Sequence, residues 1–257
     1  MSQLGEPPAG ALASPGAPGS PGSPDDGDDG DDGDGGDTEA AGGADGADDT
    51  GAPRELRGLV PFEVAAILAL AVVPWPDAVP VALPLFVVAT ASRWIRRREW
   101  SQRMRGDGFT PASSVIAGLV ALAIAVVAGT PFVEQMSGRA VEWSAFPVVR
   151  GSGSQLVLVA LIVIAMAVAS ELALRGWIVE RVLELSPGPP VLPVLVGAMA
   201  EALVTPGDVA VRIGAGLFGA GLGGIYVAAG RDVIAPICAR VAFSLGALVL
   251  EALRIIG

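Results

Sequence analysis

A series of long apolar runs between residues 59 and 256 is the feature that most constrains this chain. An α-helix needs roughly 20 apolar residues to cross the ~30 Å hydrocarbon core of a bilayer. The runs therefore predict an all-α, polytopic membrane helix bundle of about seven transmembrane helices. The predicted spans are Leu59–Val73, Val79–Ala91, Ser113–Val127, Gln155–Ile178, Val191–Val204, Val209–Ala229 and Val233–Ile256.

The first residues have the opposite character. Residues 1–53 hold 13 acidic side chains and no basic one, and Asp25–Asp37 reads DDGDDGDDGDGGD. Such a segment cannot bury enough apolar surface to offset the entropy of ordering. We therefore expect residues 1–55 to be a disordered acidic tail and residues 56–257 to be the transmembrane domain. The repeat lacks the bidentate Glu and flanking helices of an EF-hand, so a solvated tail is favoured over a calcium site.

The distribution of arginine predicts the orientation. The segment Arg93–Arg105 contains six arginines and one glutamate, more positive charge than any other loop. Positive loops stay in the cytoplasm, so this loop and the acidic tail are predicted to be cytoplasmic in a multi-pass protein of the cell membrane. Because topology already accounts for the arginines, the expected partner is the lipid bilayer and no nucleic acid is expected.

Five charged residues fall within or near the apolar runs: Glu171, Arg175, Glu201, Arg212 and Arg240. A charge at the centre of a membrane helix costs roughly 2.5–3.5 kcal/mol on insertion scales. These side chains should therefore face the interior of the bundle and neutralise one another.

The simplest pairing scheme joins Glu171 to Arg175, which lie at i and i+4 on one helical face, and Glu201 to Arg240. We expect all four to converge in one interior cavity. Glu63 and Glu251 lie nearer the ends of their spans and are expected to reach the membrane interface.

The segment Ser170–Gly176, SELALRG, resembles the Glu-Glu-x-x-x-Arg-Gly motif of the CPBP family. That family contains intramembrane CAAX-type proteases and bacteriocin-processing or immunity proteins, formerly called Abi proteins. Its second motif, Phe-x-x-x-His, follows after some thirty residues, and its third, His-x-x-x-Asn/Asp, about forty residues later. Here Glu201 lies 30 residues after Glu171, and Arg240 lies 39 residues after Glu201. The resemblance covers residues 155–256.

The chain departs from that pattern in three places. Ser170 replaces the first Glu, Gly197 and Glu201 replace Phe and His, and Arg240 and Ser244 replace His and Asn. The resemblance implies an intramembrane peptide-bond hydrolase. Carried over position by position, its catalytic residues would be Glu171, Arg175, Glu201 and Arg240, with Ser244 at the Asn/Asp position.

The chemistry of these replacements weakens the enzyme interpretation. The chain contains no histidine, which excludes a His-ligated zinc ion, and arginine does not exchange protons near neutral pH. We therefore expect no metal and no cofactor. The favoured interpretation is a degenerate or weakly active homologue that binds a membrane-embedded or lipid-modified peptide segment. Whether it is an enzyme stays open, because the Glu171/Glu201 carboxylates offer one route to retained hydrolysis.

Three alternatives remain at this point. The charges could be buried ion pairs that only fix helix register. They could form an ion or proton relay in a small transporter or channel, although no internal repeat is visible. The chain could also be an immunity or scaffold protein that acts by forming complexes. The six glycines between Gly214 and Gly224 are interpreted as helix-packing positions.

Overall fold

A computed structural model describes residues 58–73, 75, 80–104, 111–141, 143, 146–186 and 188–256. Within those ranges the protein is helical and contains no β-strand, as the sequence predicts. The predicted acidic tail, residues 1–55, lies outside the described residues, as does the end of the arginine-rich loop.

Nine α-helices are described: α1 Val60–Val72, α2 Ala82–Ile95, α3 Pro111–Ile124, α4 Thr130–Ser137, α5 Gly153–Ala173, α6 Glu180–Leu185, α7 Val191–Val204, α8 Val209–Ala228 and α9 Ile234–Ala252. A π-helical turn at Ala125–Gly129 joins α3 to α4, and a second at Leu174–Val179 joins α5 to α6. Short 3₁₀ turns lie at Trp100–Arg103 and Pro147–Val149.

The helix ends follow from local chemistry. The Ser152 hydroxyl accepts a hydrogen bond from the backbone N–H of Gln155 at 3.4 Å and begins α5. The Asp208 carboxylate accepts one from the N–H of Val211 at 3.0 Å and begins α8. Both satisfy a donor that the first helical turn leaves without a partner. Gly138 ends α4 in the left-handed conformation, which glycine adopts without a steric penalty.

Four helical segments are long and apolar enough to cross a membrane: Pro111–Ser137, Gly153–Leu185, Val209–Ala228 and Ile234–Ala252. Large apolar side chains are exposed along them, including Ile116, Val127, Leu161 and Leu217. These helices indicate an integral membrane protein. The apolar helices α1, α2 and α7 are shorter, so the count of seven transmembrane helices stays a prediction.

Glycine allows a close helix contact between α3 and α9. A Cβ on Gly118 would lie 2.1 Å from the carbonyl oxygen of Ala239, and one on Gly246 would lie 2.6 Å from Leu122 Cδ2. Only a residue without a side chain lets the two backbones approach this closely.

In the Gly214–Gly224 segment the predicted packing role holds for Gly216, Gly219 and Gly223, which face α7. It is wrong for Gly214, Gly221 and Gly224, because nothing lies within 4 Å of a Cβ added there.

The largest apolar cluster surrounds Trp177 in the second π-helical turn. Side chains of α1, α2 and α7, among them Ile67, Leu85 and Ala200, are buried with it. A second apolar cluster contains Val179 of the same turn together with Tyr226 of α8 and Leu172. The π-helical turn is thus enclosed by neighbouring helices on more than one side, which fixes the residues that it carries.

Candidate functional site

Four charged side chains from three separate segments meet inside the bundle, and we call them the interior cluster: Glu171, Arg175, Glu201 and Arg240. Arg175 Nη1 donates to Glu171 Oε1 at 3.1 Å and to Glu201 Oε2 at 2.7 Å. Arg240 pairs with both carboxylates as well, through Nε to Glu171 Oε1 and through Nη2 to Glu201 Oε2. Each arginine thus bridges both glutamates.

The interior cluster is buried and balanced in charge. Glu171 and Arg175 have no exposed side-chain surface, whereas Glu201 and Arg240 are 7% and 14% exposed. Two carboxylates face two guanidinium groups, which is the arrangement that burial of charge in an apolar layer requires. The cluster reaches the surface of the bundle only through Arg240 and Glu201.

Arg175 is held in place by α8. Its Nη2 donates to the backbone carbonyl of Gly219 at 2.8 Å. A Cβ at Gly219 would lie 2.8 Å from Glu201 Cβ and 3.2 Å from Arg175 Nη2. The missing side chain at Gly219 therefore makes room for the contact between Arg175 and Glu201.

The π-helical turn Leu174–Val179 carries Arg175. The residue after Arg175, Gly176, contacts Arg93 and Trp100. A Cβ on Gly176 would lie 2.9 Å from Trp100 Cζ3, and the Gly176 carbonyl accepts from Arg93 Nη1 at 3.4 Å. The Arg93 guanidinium itself lies 4.4 Å from the centre of the Trp100 ring. Widened turns of this kind occur often at functional sites. Nothing in the sequence pattern indicated that the helix widens here.

The structure brings the four predicted residues together, and it corrects the simple pairing scheme. Glu171 with Arg175 and Glu201 with Arg240 do pair, but the cross pairs Arg175–Glu201 and Arg240–Glu171 are present too. Two independent pairs are thus replaced by one closed ring. Ser244, at the third-motif position, makes no polar contact with a described residue. The catalytic roles and the surrounding cavity stay predictions.

Arg240 also touches an aromatic pair at the seam between α8 and α9. Its guanidinium carbon lies 5.6 Å from the centre of the Phe218 ring, and that ring lies 4.5 Å from Phe243. A guanidinium over an aromatic face gains electrostatic stabilisation. The seam is where the interior cluster meets the outside of the bundle.

A second network of charges lies where α2 ends, and we call it the end network: Glu63, Arg96, Arg98, Arg181 and Glu184. Arg96 pairs with Glu63 at 2.8 Å, Arg181 pairs with Glu184 at 2.6 Å, and Arg98 pairs with Glu184. Arg181 lies 3.7 Å from Glu63 and links the two halves. Sequence reasoning missed this network, although the i, i+3 spacing of Arg181 and Glu184 was a usable signal.

The end network changes the interpretation of the segment Arg93–Arg105, which was predicted to be a loop. Its first residues instead form the last turn of α2, where Arg93 is buried. Arg96 and Arg98 turn inward to carboxylates, while Arg97 is exposed. Two of the six arginines in this segment, Arg96 and Arg98, therefore belong to ion pairs within the protein.

Two further charged residues lie outside both networks. Glu251 is buried within the bundle, where it accepts hydrogen bonds from the backbone N–H of Phe146 at 3.3 Å, and its position at the membrane interface stays a prediction. Arg150 lies 3.9 Å from Glu251. Arg212, predicted to need an interior partner, is exposed in the first turns of α8 and makes no ion pair with a described residue.

Among the described residues, no group of three or more Cys, Asp and Glu side chains is arranged to hold a metal ion. Comparisons with protein-family models, with curated proteins and with solved structures gave no match. The geometry of the two charged networks therefore carries the functional argument.

Proposed function

We propose that this integral membrane protein is a degenerate relative of the CPBP intramembrane proteases that binds a membrane-embedded or lipid-modified peptide segment without cleaving it efficiently. One observation carries the proposal: the residues at three family-motif positions meet in a single charge-balanced ring. Residues 30 and 39 positions apart have no local reason to meet. Their contact is what a shared protease-like site requires.

The chemistry of the ring supports binding over hydrolysis. General acid–base catalysis needs a group that takes up and releases a proton near neutral pH. Glu171 Oε1 and Glu201 Oε2 are both engaged by arginine, and the chain has no histidine to pass a proton on. Glu171 Oε2 is buried without a hydrogen-bond partner among the described residues, so it is a carboxylate oxygen through which a water could still be activated.

The seam between α8 and α9 is the proposed place of contact with the peptide segment. Arg240 is the most exposed member of the ring, and Phe218 and Phe243 form an apolar wall beside it. A guanidinium donates hydrogen bonds and cannot accept them. The seam therefore suits a ligand that combines apolar groups with carbonyl oxygens.

We propose further that the end network and the acidic tail face the cytoplasm of the cell membrane, following the arginine distribution. With that orientation the interior cluster lies between the two membrane surfaces. The ligand then approaches it laterally, from within the bilayer.

The test is a binding and cleavage assay in lipid nanodiscs with a fluorescent, membrane-anchored peptide. The wild-type chain is expected to bind the peptide and leave it intact. Arg240→Gln is expected to weaken binding, whereas Arg212→Gln, which removes an exposed arginine of the same bundle, is expected to have no effect. Absence of any binding would refute the proposed function.

Two other results would reassign the protein. Efficient cleavage that is abolished by Glu171→Gln would make it an active protease. Ion or proton flux into sealed proteoliposomes, lost in the same variant, would favour the transporter alternative.

A further inference from the structure

The charge of the interior cluster limits which ligand the seam between α8 and α9 can hold. Arg175 and Arg240 keep their positive charge under physiological conditions, because a guanidinium group does not lose its proton there. Burying them in an apolar bundle requires two compensating negative charges. Glu171 and Glu201 are the carboxylates that contact them. The ring is therefore neutral before a ligand binds.

The contacts of Arg240 leave one of its nitrogen atoms for a ligand. Nε pairs with Glu171 Oε1, and Nη2 pairs with Glu201 Oε2. Nη1 has no hydrogen-bond partner among the described residues, and Arg240 is the most exposed side chain of the ring. The two N–H groups of Nη1 can donate hydrogen bonds but cannot accept them. The seam thus offers a ligand oxygen two donors.

A second polar group lies beside Arg240 on the same helix. Ser244 follows Arg240 by four residues, which places both on one face of α9, about 6 Å apart along the helix axis. Ser244 is half-buried and makes no polar contact with a described residue. Its hydroxyl can accept a hydrogen bond as well as donate one. Arg240 and Ser244 together match an amide, because its carbonyl oxygen accepts a hydrogen bond and its N–H group donates one.

A ligand carboxylate in the same place would meet like charge. It would bring a third negative charge to a guanidinium that already contacts Glu171 and Glu201. The ring contains only two positive charges, so the complex would hold an uncompensated negative charge where little water reaches it. Like charges held together at an interface discriminate strongly against a ligand.

From these contacts we infer that the seam selects an uncharged amide group and discriminates against a free carboxylate. The inference rests on the proposed function, because it specifies the ligand of the same site. The bound segment is then an internal stretch of peptide or a blocked chain end, and not a free C-terminus. Because the net charge of the ring sets this selectivity, loss of one ring carboxylate should reverse it.

Two short probes in zwitterionic lipid nanodiscs test the inference on the full-length protein. Each probe is a fluorescent fatty acyl chain that ends in one residue, either glycinamide or glycine. The probes differ only in an amide against a carboxylate, and that group lies next to any carbonyl that contacts Arg240. The wild-type protein is expected to bind the glycinamide probe at least about tenfold more tightly than the glycine probe. Equal binding, or tighter binding of the glycine probe, would overturn the inference.

Variants of the ring separate selection by the protein from selection by the membrane, which itself disfavours a carboxylate. Glu201→Gln and, independently, Glu171→Gln give the ring one excess positive charge. Each is expected to reverse the order, so that the glycine probe binds more tightly. Arg212→Gln removes an exposed arginine outside the ring and should keep the wild-type preference. If both carboxylate variants fold and keep that preference, the bilayer sets the selectivity and the inference is wrong.

Ser244→Ala tests the second contact and leaves the charge of the ring unaltered. It is expected to weaken binding of the glycinamide probe severalfold, and unchanged binding would overturn the choice of an amide. The longer membrane-anchored peptide distinguishes the two proposals. If that peptide binds and neither short probe does, the inference fails alone. If the peptide does not bind either, the proposed function fails and the inference fails with it.

Discussion

The interior cluster and the end network use the same two residue types, glutamate and arginine, but in different surroundings. In the interior cluster, each arginine bridges both carboxylates and two of the four side chains have no exposed surface. In the end network, Glu63, Arg98 and Glu184 each keep about a quarter of the side chain exposed. Glutamate and arginine therefore form ion pairs both in the buried interior of the bundle and where the side chains are partly exposed.

The difference predicts how each network responds to loss of one member. Where water reaches a charge, its solvation replaces a lost partner, and exposed pairs contribute about 0–1 kcal/mol. Where water is excluded, removing one partner leaves a buried charge without compensation and costs about 3–5 kcal/mol. The four predictions below test this contrast, in order of decreasing effect.

Arg175→Met should have the largest effect. It removes the guanidinium that contacts Glu171, Glu201 and the Gly219 carbonyl, and it leaves two carboxylates facing Arg240 alone. We expect the free energy of unfolding in detergent micelles to fall by about 3–5 kcal/mol.

The double variant Arg175→Met/Glu201→Gln serves as the control for that experiment, because it restores the balance of charge. It should recover part of the lost stability. If the double variant is less stable than Arg175→Met, the cost is one of packing and not of uncompensated charge.

Gly219→Ala should have the next largest effect. The added methyl group would overlap Glu201 Cβ at 2.8 Å and force Arg175 or α8 to shift. Overpacking of this kind costs about 1–3 kcal/mol. Gly221→Ala is the matched control in the same helix, since nothing lies within 4 Å of its added Cβ. Equal loss of stability in both variants would argue against close packing at Gly219.

Arg98→Gln should have a smaller effect that depends on salt. Glu184 keeps Arg181 as a partner at 2.6 Å, and Arg98 is partly exposed. The expected loss is about 1 kcal/mol or less, and it should shrink between low and high ionic strength because salt screens exposed charges. The same salt series should leave the effect of Arg175→Met almost unchanged. A salt-independent loss for Arg98→Gln would remove the contrast between the two networks.

The interior cluster could be predicted because a charged side chain in hydrocarbon is costly unless it faces the bundle interior and has a partner of opposite charge. Glu171, Arg175, Glu201 and Arg240 interrupt apolar runs, so facing one another in the interior was the expected solution. Apolar run length likewise predicted the helical class. The spacing of the residues along the sequence did not predict which carboxylate pairs with which arginine. The cross pairs Arg175–Glu201 and Arg240–Glu171 depend on how α7 and α9 are rotated against α5.

The end network was missed for a different reason. Arg96 and Arg98 lie in the most positive segment of the chain, and the positive-inside interpretation accounted for them without partners. Their carboxylates come from Glu63, about thirty residues earlier, and Glu184, more than eighty residues later. No local pattern joins such distant positions. The π-helical turn at Leu174–Val179 was hidden as well, since apolar periodicity does not register one inserted residue.

Arg212→Gln should have the smallest effect. It changes a residue that was predicted to need an interior partner but is exposed. Arg212 interrupts an apolar run just as Arg240 does, and both were grouped as charges that need interior partners. The structure separates them, because Arg212 is exposed near the start of α8 whereas Arg240 belongs to the ring. A surface substitution away from any network usually changes stability by no more than about 0.5 kcal/mol, so Arg212→Gln should unfold in the same detergent series within that margin of wild type. A loss comparable to that of Arg175→Met would mean that Arg212 has a buried partner, and that the start of α8 lies deeper in the bundle than its exposure indicates.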